Sequence, residues 1–175
     1  MNKFLFFLLV ILCGINLCFA SEGVFNYPAA SKDISKSIPE LNSVSCKFTQ
    51  ERYLESSVLK SGGNFRYIKD KGTIFETLYP IKSTVSYNSS KNRQINDIIN
   101  AVSNKNFGYL DNNFDLYYSK ENNSWTVGLK PKAKSAVSSQ LHDIIIKGKS
   151  EINFIKISTV KNGTTEISFQ QCKTN

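Results

Sequence analysis

The side chains that could do chemistry in this 175-residue chain are few. His142 is the single histidine, and the cysteines are Cys13, Cys18, Cys46 and Cys172. One histidine cannot supply the two or three imidazoles of a zinc site. A nucleophilic cysteine paired with His142 would need a turn that presents its thiol, and neither Cys46 nor Cys172 has a glycine-rich turn beside it. The residue types therefore predict no metal, no cofactor and no enzyme.

Acidic, glycine and basic residues also lack the patterns of the common sites. The acidic residues do not cluster with aromatic residues as in a glycoside-cleaving cleft. Gly62-Gly63 is not followed by the lysine or helix of a phosphate-binding loop. The formal charge is +8, but the basic residues are dispersed, with the densest group at residues 130–134, so nucleic acid is not expected as a partner. The charge suits an anionic lipid surface or an acidic partner, and an ordinary soluble basic surface explains it more simply.

Residues 1–20 resemble a secretory signal peptide. Lys3 gives a basic start, residues 4–12 are continuously apolar, and Ala20 precedes a cleavage point before Ser21. The apolar run is shorter than a membrane span needs. Leu12 and Leu17, which precede the two N-terminal cysteines, stand where a lipoprotein signal has a small residue. We expect a single secreted domain over residues 21–175.

After cleavage, Cys46 and Cys172 are the two cysteines left. In an oxidising compartment they could pair, closing a loop of more than 100 residues. Two buried free thiols are the alternative, and the sequence leaves both open.

Hydrophobic periodicity predicts the elements. Residues 21–30 look like a flexible lead-in, and residues 31–42 are helical in pattern, with a kink or end at Pro39. A short amphipathic helix covers residues 94–102, stopping near Asn106 or Gly108. The other segments alternate with a period of two and predict nine strands. They cover residues 44–54, 59–68, 73–79, 83–87, 114–119, 124–129, 141–147, 152–159 and 165–171.

This order predicts an α+β domain whose large antiparallel sheet curls into a half-open β-barrel with a few helices over its mouth. Such a sheet encloses either a packed core or a ligand cavity. Composition favours the packed core.

Motifs in the first half match a known family in order and spacing. The family has a strand of the form F-x-Q-x-K/R, found here at residues 48–52. A divergent branch continues with S-x-G, an aromatic residue, G-x-x-W or F, and a proline that ends the strand. The matching positions are Ser61, Gly63, Phe65, Gly72, Phe75 and Pro80.

The second half carries two more of these motifs. A W-x-x-x-L-x-P-K run is present as Trp125, Leu129, Pro131 and Lys132, and a turn glycine followed by T-x-I-x-F is present as Gly163, Thr165, Ile167 and Phe169. Over residues 30 to 170 the set resembles the outer-membrane lipoprotein carrier family (LolA-like).

The resemblance implies a half-open antiparallel β-barrel whose helices close an apolar cavity. It implies a monomeric periplasmic carrier for the acyl chains of lipoproteins or other lipids, which receives cargo from an inner-membrane donor complex and passes it to an outer-membrane acceptor. Typical members have an arginine before the strand-ending proline that helps to hold the lid shut. Ile74 stands at that position here, so the closing contacts must differ.

The predicted site is an apolar wall with a helical lid. We expect Ile95, Ile98 and Ile99 to form the lid. We expect the wall to consist of Phe48, Phe65, Phe75, Trp125, Val127, Leu129, Ile155, Ile157 and Phe169. A secreted interaction module with a filled core is the main alternative, and a small lipid hydrolase is a third.

Overall fold

The computed structural model describes residues 21–86, 93–161 and 163–174, without the side chains of residues 21, 22 and 93–95. The proposed signal peptide and Asn162 lie outside this range. The described residues form a 3-10 helix, three α-helices and nine strands. The helices are the 3-10 helix Ser21–Asn26, α1 Ser31–Ser37, α2 Arg93–Ser103 and α3 Phe107–Asn113. The strands are β1 Val44–Leu54, β2 Ser57–Ile68, β3 Gly72–Tyr79, β4 Ser83–Ser86, β5 Phe114–Glu121, β6 Ser124–Pro131, β7 Leu141–Gly148, β8 Ile152–Thr159 and β9 Thr164–Thr174.

All nine strands belong to one antiparallel sheet. Their order is β4-β3-β2-β1-β9-β8-β7-β6-β5, so the first and last strands stay unpaired with each other and the sheet does not close. Long strand pairs support the curl of the sheet, because paired strands twist together. The β1–β2 pair, for example, has eleven paired positions, from Val44↔Tyr67 to Leu54↔Ser57. The predicted α+β fold with a half-open barrel is confirmed.

The inner face of the sheet carries the main core. Alternation along each strand sends one set of apolar side chains to this face. The helices cover it with Ile34 from α1, Ile98, Ile99 and Val102 from α2, and Leu110 from α3, all buried. Both α1 and α2 contact α3, so the three helices form one layer.

The predicted flexible lead-in was wrong. Residues Ser21–Asn26 form a 3-10 helix, and Val24 is buried against the outer face of the sheet. The following segment pairs with the edge strand β5: Ala29 N–H donates to the Leu116 carbonyl, and Tyr118 N–H donates to the Tyr27 carbonyl, both at 3.0 Å. The segment is ordered because it covers an otherwise open sheet edge.

One helix end agrees with the sequence prediction, and one helix was missed. Helix α1 ends at Ser37, in line with the kink or end predicted at Pro39, because that proline restricts Ile38 to an extended backbone. Ile38 and Leu41 are nevertheless buried. Helix α3 was missed, since a seven-residue helix shows one apolar repeat, Phe107 to Leu110, which is too short to stand out.

In the parts of the chain that the structure describes, no helix combines the length and apolar character needed to cross a bilayer.

Candidate functional site

The nine residues predicted for the wall are all buried on one face of the sheet. Strand register shows the shared face directly: Phe65 lies opposite Phe75, Phe48 lies opposite Phe169, and Val127 lies opposite Ile146. The nine wall residues are between 0% and 7% exposed. The period-two pattern therefore selected one face, although it could not identify that face as the inner one.

Four phenylalanines form the aromatic half of the wall. The ring centroids of Phe65 and Phe169 lie 4.4 Å apart, those of Phe65 and Phe75 lie 4.9 Å apart, and those of Phe48 and Phe75 lie 5.3 Å apart. These are favourable tilted and edge-to-face distances. They join β1, β2, β3 and β9 into one apolar surface.

Trp125 is the one aromatic residue predicted for the other half of the wall. Its indole Nε1 donates a 2.7 Å hydrogen bond to the Lys149 carbonyl, which satisfies its polar atom while the ring is buried. Gly148 lies directly beside the ring, and a Cβ there would be 2.3 Å from Trp125 Cζ2. A glycine at this strand end lets the indole approach the backbone closely.

The lid helix packs deeply into this wall. Ile98 and Ile99 are 3% and 2% exposed. The Ile95 side chain lies outside the described residues, so its place in the lid stays a prediction. Because α2 inserts these side chains, the space between helix and sheet is largely filled.

Between α2 and the sheet, where the resemblance implies an open cavity, the space that the described residues leave is small. Two apolar voids remain between α2 and the sheet, each of about 20 Å³. That volume suits roughly one water molecule, whereas ligand sites are typically about 300–1,000 Å³. Ile99 and Ile155 line both voids, so this side-chain pair is the partition between them.

A buried polar contact ties α2 to the hairpin of β2 and β3. Asn96 Oδ1 accepts a hydrogen bond from the Thr73 N–H at 2.9 Å and from the Thr73 hydroxyl at 2.8 Å. Thr73 is 3% and Asn96 9% exposed. Near the end of the helix, the Tyr67 hydroxyl donates to Asn104 Oδ1. Burial raises the pKa of Tyr67, which keeps its phenol protonated as the donor.

The arginine of the family pattern would stand at Ile74, which directly follows Thr73 on β3 and alternates to the other face of the sheet. Ile74 is half-buried on β3 opposite Arg66. No motif or periodicity in the sequence singled out Asn96 and Thr73. An asparagine adjoining the apolar stripe of α2 was the available hint, because a polar residue there must find a partner when buried.

The segment that connects α1 to β1 is held by the same hairpin. Lys69 pairs with the Glu40 carboxylate, and the Lys69 N–H donates to Ser43 Oγ at 3.0 Å. The hydrogen bond from Lys69 holds the pKa of Glu40 below its usual value. Both groups are exposed to solvent, so this pair fastens the loop weakly.

The groups considered for catalysis do not come together. Cys46 and Cys172 form a disulfide across β1 and β9, so neither is a free thiol. The His142 side chain is 69% exposed and its Nδ1 lies 2.6 Å from Asp143 Oδ2. Within the described residues, no group of three or more His, Cys, Asp or Glu side chains could hold a metal ion.

The chain matches no family model, and no curated protein matches it. It is similar to the crystal structure of a LolA superfamily protein from Nitrosomonas europaea, with 6% identity and a TM-score of 0.39 over 84% of this chain and 94% of that one. It is also similar to an outer membrane lipoprotein-sorting protein domain from Vibrio parahaemolyticus, with 6% identity and a TM-score of 0.36 over 89% of this chain and 94% of that one. A third similar structure is MucB in complex with MucA(peri), with 12% identity and a TM-score of 0.47 over 83% of this chain and 56% of that one.

Proposed function

We propose that this protein is a carrier that shields acyl chains in an apolar interior and is not an enzyme. One observation carries the proposal: a continuous apolar sheet face is covered by a short helix, α2, and Ile99 of that helix divides two voids against Ile155. Withdrawal of α2 would join the voids and uncover the wall. In this proposal, the packing of α2 against the wall is the closed arrangement.

The energetics allow such an exchange. An acyl chain gains about 0.8 kcal/mol for each CH₂ that leaves water, so a chain of about fifteen CH₂ groups gains on the order of 12 kcal/mol. Uncovering Ile98, Ile99 and Val102 costs about 1.5–3 kcal/mol for each side chain. One bound acyl chain can therefore offset the displacement of α2.

The proposed setting is the periplasm. A cleaved signal peptide would deliver the chain there, and the Cys46–Cys172 disulfide suits an oxidising compartment. In this setting the cargo is a lipoprotein or another lipid, taken from an inner-membrane donor and given to an outer-membrane acceptor. A monomer without cofactor suffices for that task.

The test compares two buried isoleucines. Ile99→Ala removes the partition between the voids, whereas Ile145→Ala removes a side chain that is equally buried on the outer face of β7 and lines neither void. Both should lower the free energy of unfolding by about 2–5 kcal/mol. We expect a fluorescent fatty acid to bind the wild type and to bind Ile99→Ala more tightly, with no gain for Ile145→Ala.

A secreted interaction module with a filled core is the second candidate, and the small size of the two voids favours it. Native mass spectrometry of gently purified protein separates the two. A carrier brings acyl lipids with it. A protein that carries none and binds no fatty acid, with or without the Ile99→Ala change, is the interaction module.

A further inference from the structure

Exposed apolar side chains gather at one end of the sheet. Leu54, Val58 and Leu59 lie around the β1–β2 turn, Tyr79 and Ile81 follow β3, and Val160 lies in the β8–β9 turn. We call these six residues the apolar rim. Their exposed fractions range from 39% for Leu54 to 77% for Ile81.

Strand register places these turns at the same end of the sheet, where the strands stop. The end of β1 pairs with the start of β2 and with the start of β9, as Tyr53↔Val58 and Tyr53↔Thr164. The end of β3 pairs with the start of β4 as Thr77↔Ser83. Strands β4, β3, β2, β1, β9 and β8 are consecutive in the sheet. At about 4.8 Å between neighbours, the apolar rim extends over roughly 24 Å.

A lysine accompanies each part of the apolar rim. Leu59 is followed by Lys60, Ile81 by Lys82 and Val160 by Lys161. Lys60 forms an ion pair with Glu51, with 2.7 Å between Lys60 Nζ and Glu51 Oε1. Lys82 and Lys161 have no ion pair within the described residues. Residues 54–60, 78–82 and 160–161 contain three lysines against one acidic residue, Glu55, a local charge of +2.

We propose that the apolar rim docks the protein on an anionic bilayer surface. A concentration of exposed apolar side chains at one end of a molecule marks a candidate interaction site. Aliphatic and tyrosine side chains that enter the acyl boundary, with lysines beside them at the level of anionic headgroups, form a membrane-surface pattern. The apolar rim lies at one end of the strands and does not line either void, so this inference goes beyond the carrier proposal.

The test uses vesicle co-sedimentation of the purified protein, whose N-terminus is read by mass spectrometry. The vesicles contain phosphatidylcholine alone or mixed with phosphatidylglycerol. The rim variant is Ile81→Glu with Val160→Glu. The matched control is Asn123→Glu with Ser150→Glu, which adds the same charge in exposed turns at the opposite end of the sheet.

We expect the wild type to bind the mixed vesicles, and more weakly at high salt. The rim variant should lose about tenfold or more in partitioning, and the control variant much less. Lys82→Gln and Lys161→Gln should each lose about fivefold. Three results would overturn the proposal. The rim and control variants could lose binding equally, the wild type could fail to bind anionic vesicles, or it could form a dimer in solution that does not bind vesicles. Because the wall is untouched, fatty-acid binding by the rim variant reports separately on the carrier function.

Discussion

At the residue scale, a few polar groups in an apolar setting hold α2, the proposed lid, against the sheet. Asn96 accepts two hydrogen bonds from the buried Thr73. A buried donor that loses its acceptor costs its full desolvation, so this contact fixes α2 more firmly than an exposed ion pair could. If α2 moved away, water could hydrogen-bond to Asn96 and Thr73 in place of each other, so the free-energy cost of separating them would be small. Such a contact suits a reversible latch.

Replacing Asn96 by alanine should lower the free energy of unfolding by about 1–3 kcal/mol, because the Thr73 N–H and hydroxyl stay buried without an acceptor. Asn100→Ala is the control, since Asn100 Oδ1, on the same helix, has no hydrogen-bond partner among the described residues. Urea denaturation measures both. Equal losses in the two variants would contradict the latch.

The sequence was enough to predict that the wall residues share one face of the sheet. It was not enough to predict which residues of α2 contact that sheet. Alternation alone selected Phe48, Phe65 and Phe169 for one face, because a strand sends every second residue to the same side. The contact between Asn96 and Thr73 joins residues 23 positions apart. No periodicity records which helix turn meets which strand, so only the folded chain shows it.

At the element scale, the N-terminal 3-10 helix is the clearest difference between pattern and structure. Residues 21–30 contain no amphipathic repeat, and sequence reasoning treated them as flexible. Their order comes from a flat site on the outer face of β6, where Gly128 leaves room for Val24 and Phe25. The Phe25 ring also meets Tyr117 edge-on, with centroids 5.3 Å apart. Tertiary contacts and not local propensity form this element.

Gly128→Ala should therefore detach this helix. The added Cβ would lie 2.8 Å from Phe25 Cε1 and 2.9 Å from Val24 Cγ1. We expect a loss of about 1–3 kcal/mol in unfolding free energy and faster proteolysis near the N-terminus. Gly23→Ala, which meets no atom within 4 Å, should change neither measurement. Protection from protease in both variants would show that the contact is unimportant.

At the scale of the whole molecule, a sheet cross-linked by a disulfide contrasts with a helix layer that is held by non-covalent contacts alone within the described residues. The disulfide joins β1 and β9 across a sequence separation of 126 residues, near the centre of the strand order. The helix layer is fixed by apolar packing, the Asn96 latch and exposed pairs such as Glu40 and Lys69. In the proposed carrier, α2 would therefore leave the wall without breaking a strand pair.

Cys46→Ser with Cys172→Ser should lower the free energy of unfolding by about 4–5 kcal/mol, since a loop of this length loses a large closure entropy. Thermal and urea unfolding of the wild type with and without reductant provide the same comparison. A loss below about 1 kcal/mol would mean that strand pairing alone holds β1 to β9.

The central claim, that α2 leaves the wall when an acyl chain enters, is tested most directly by amide hydrogen exchange with and without saturating palmitate. We predict that the amides of residues 98–103 exchange faster in the loaded protein, while those of β6 and β7 keep their protection. Unchanged protection of α2 in protein shown to be loaded, or failure of palmitate to bind at all, would contradict it.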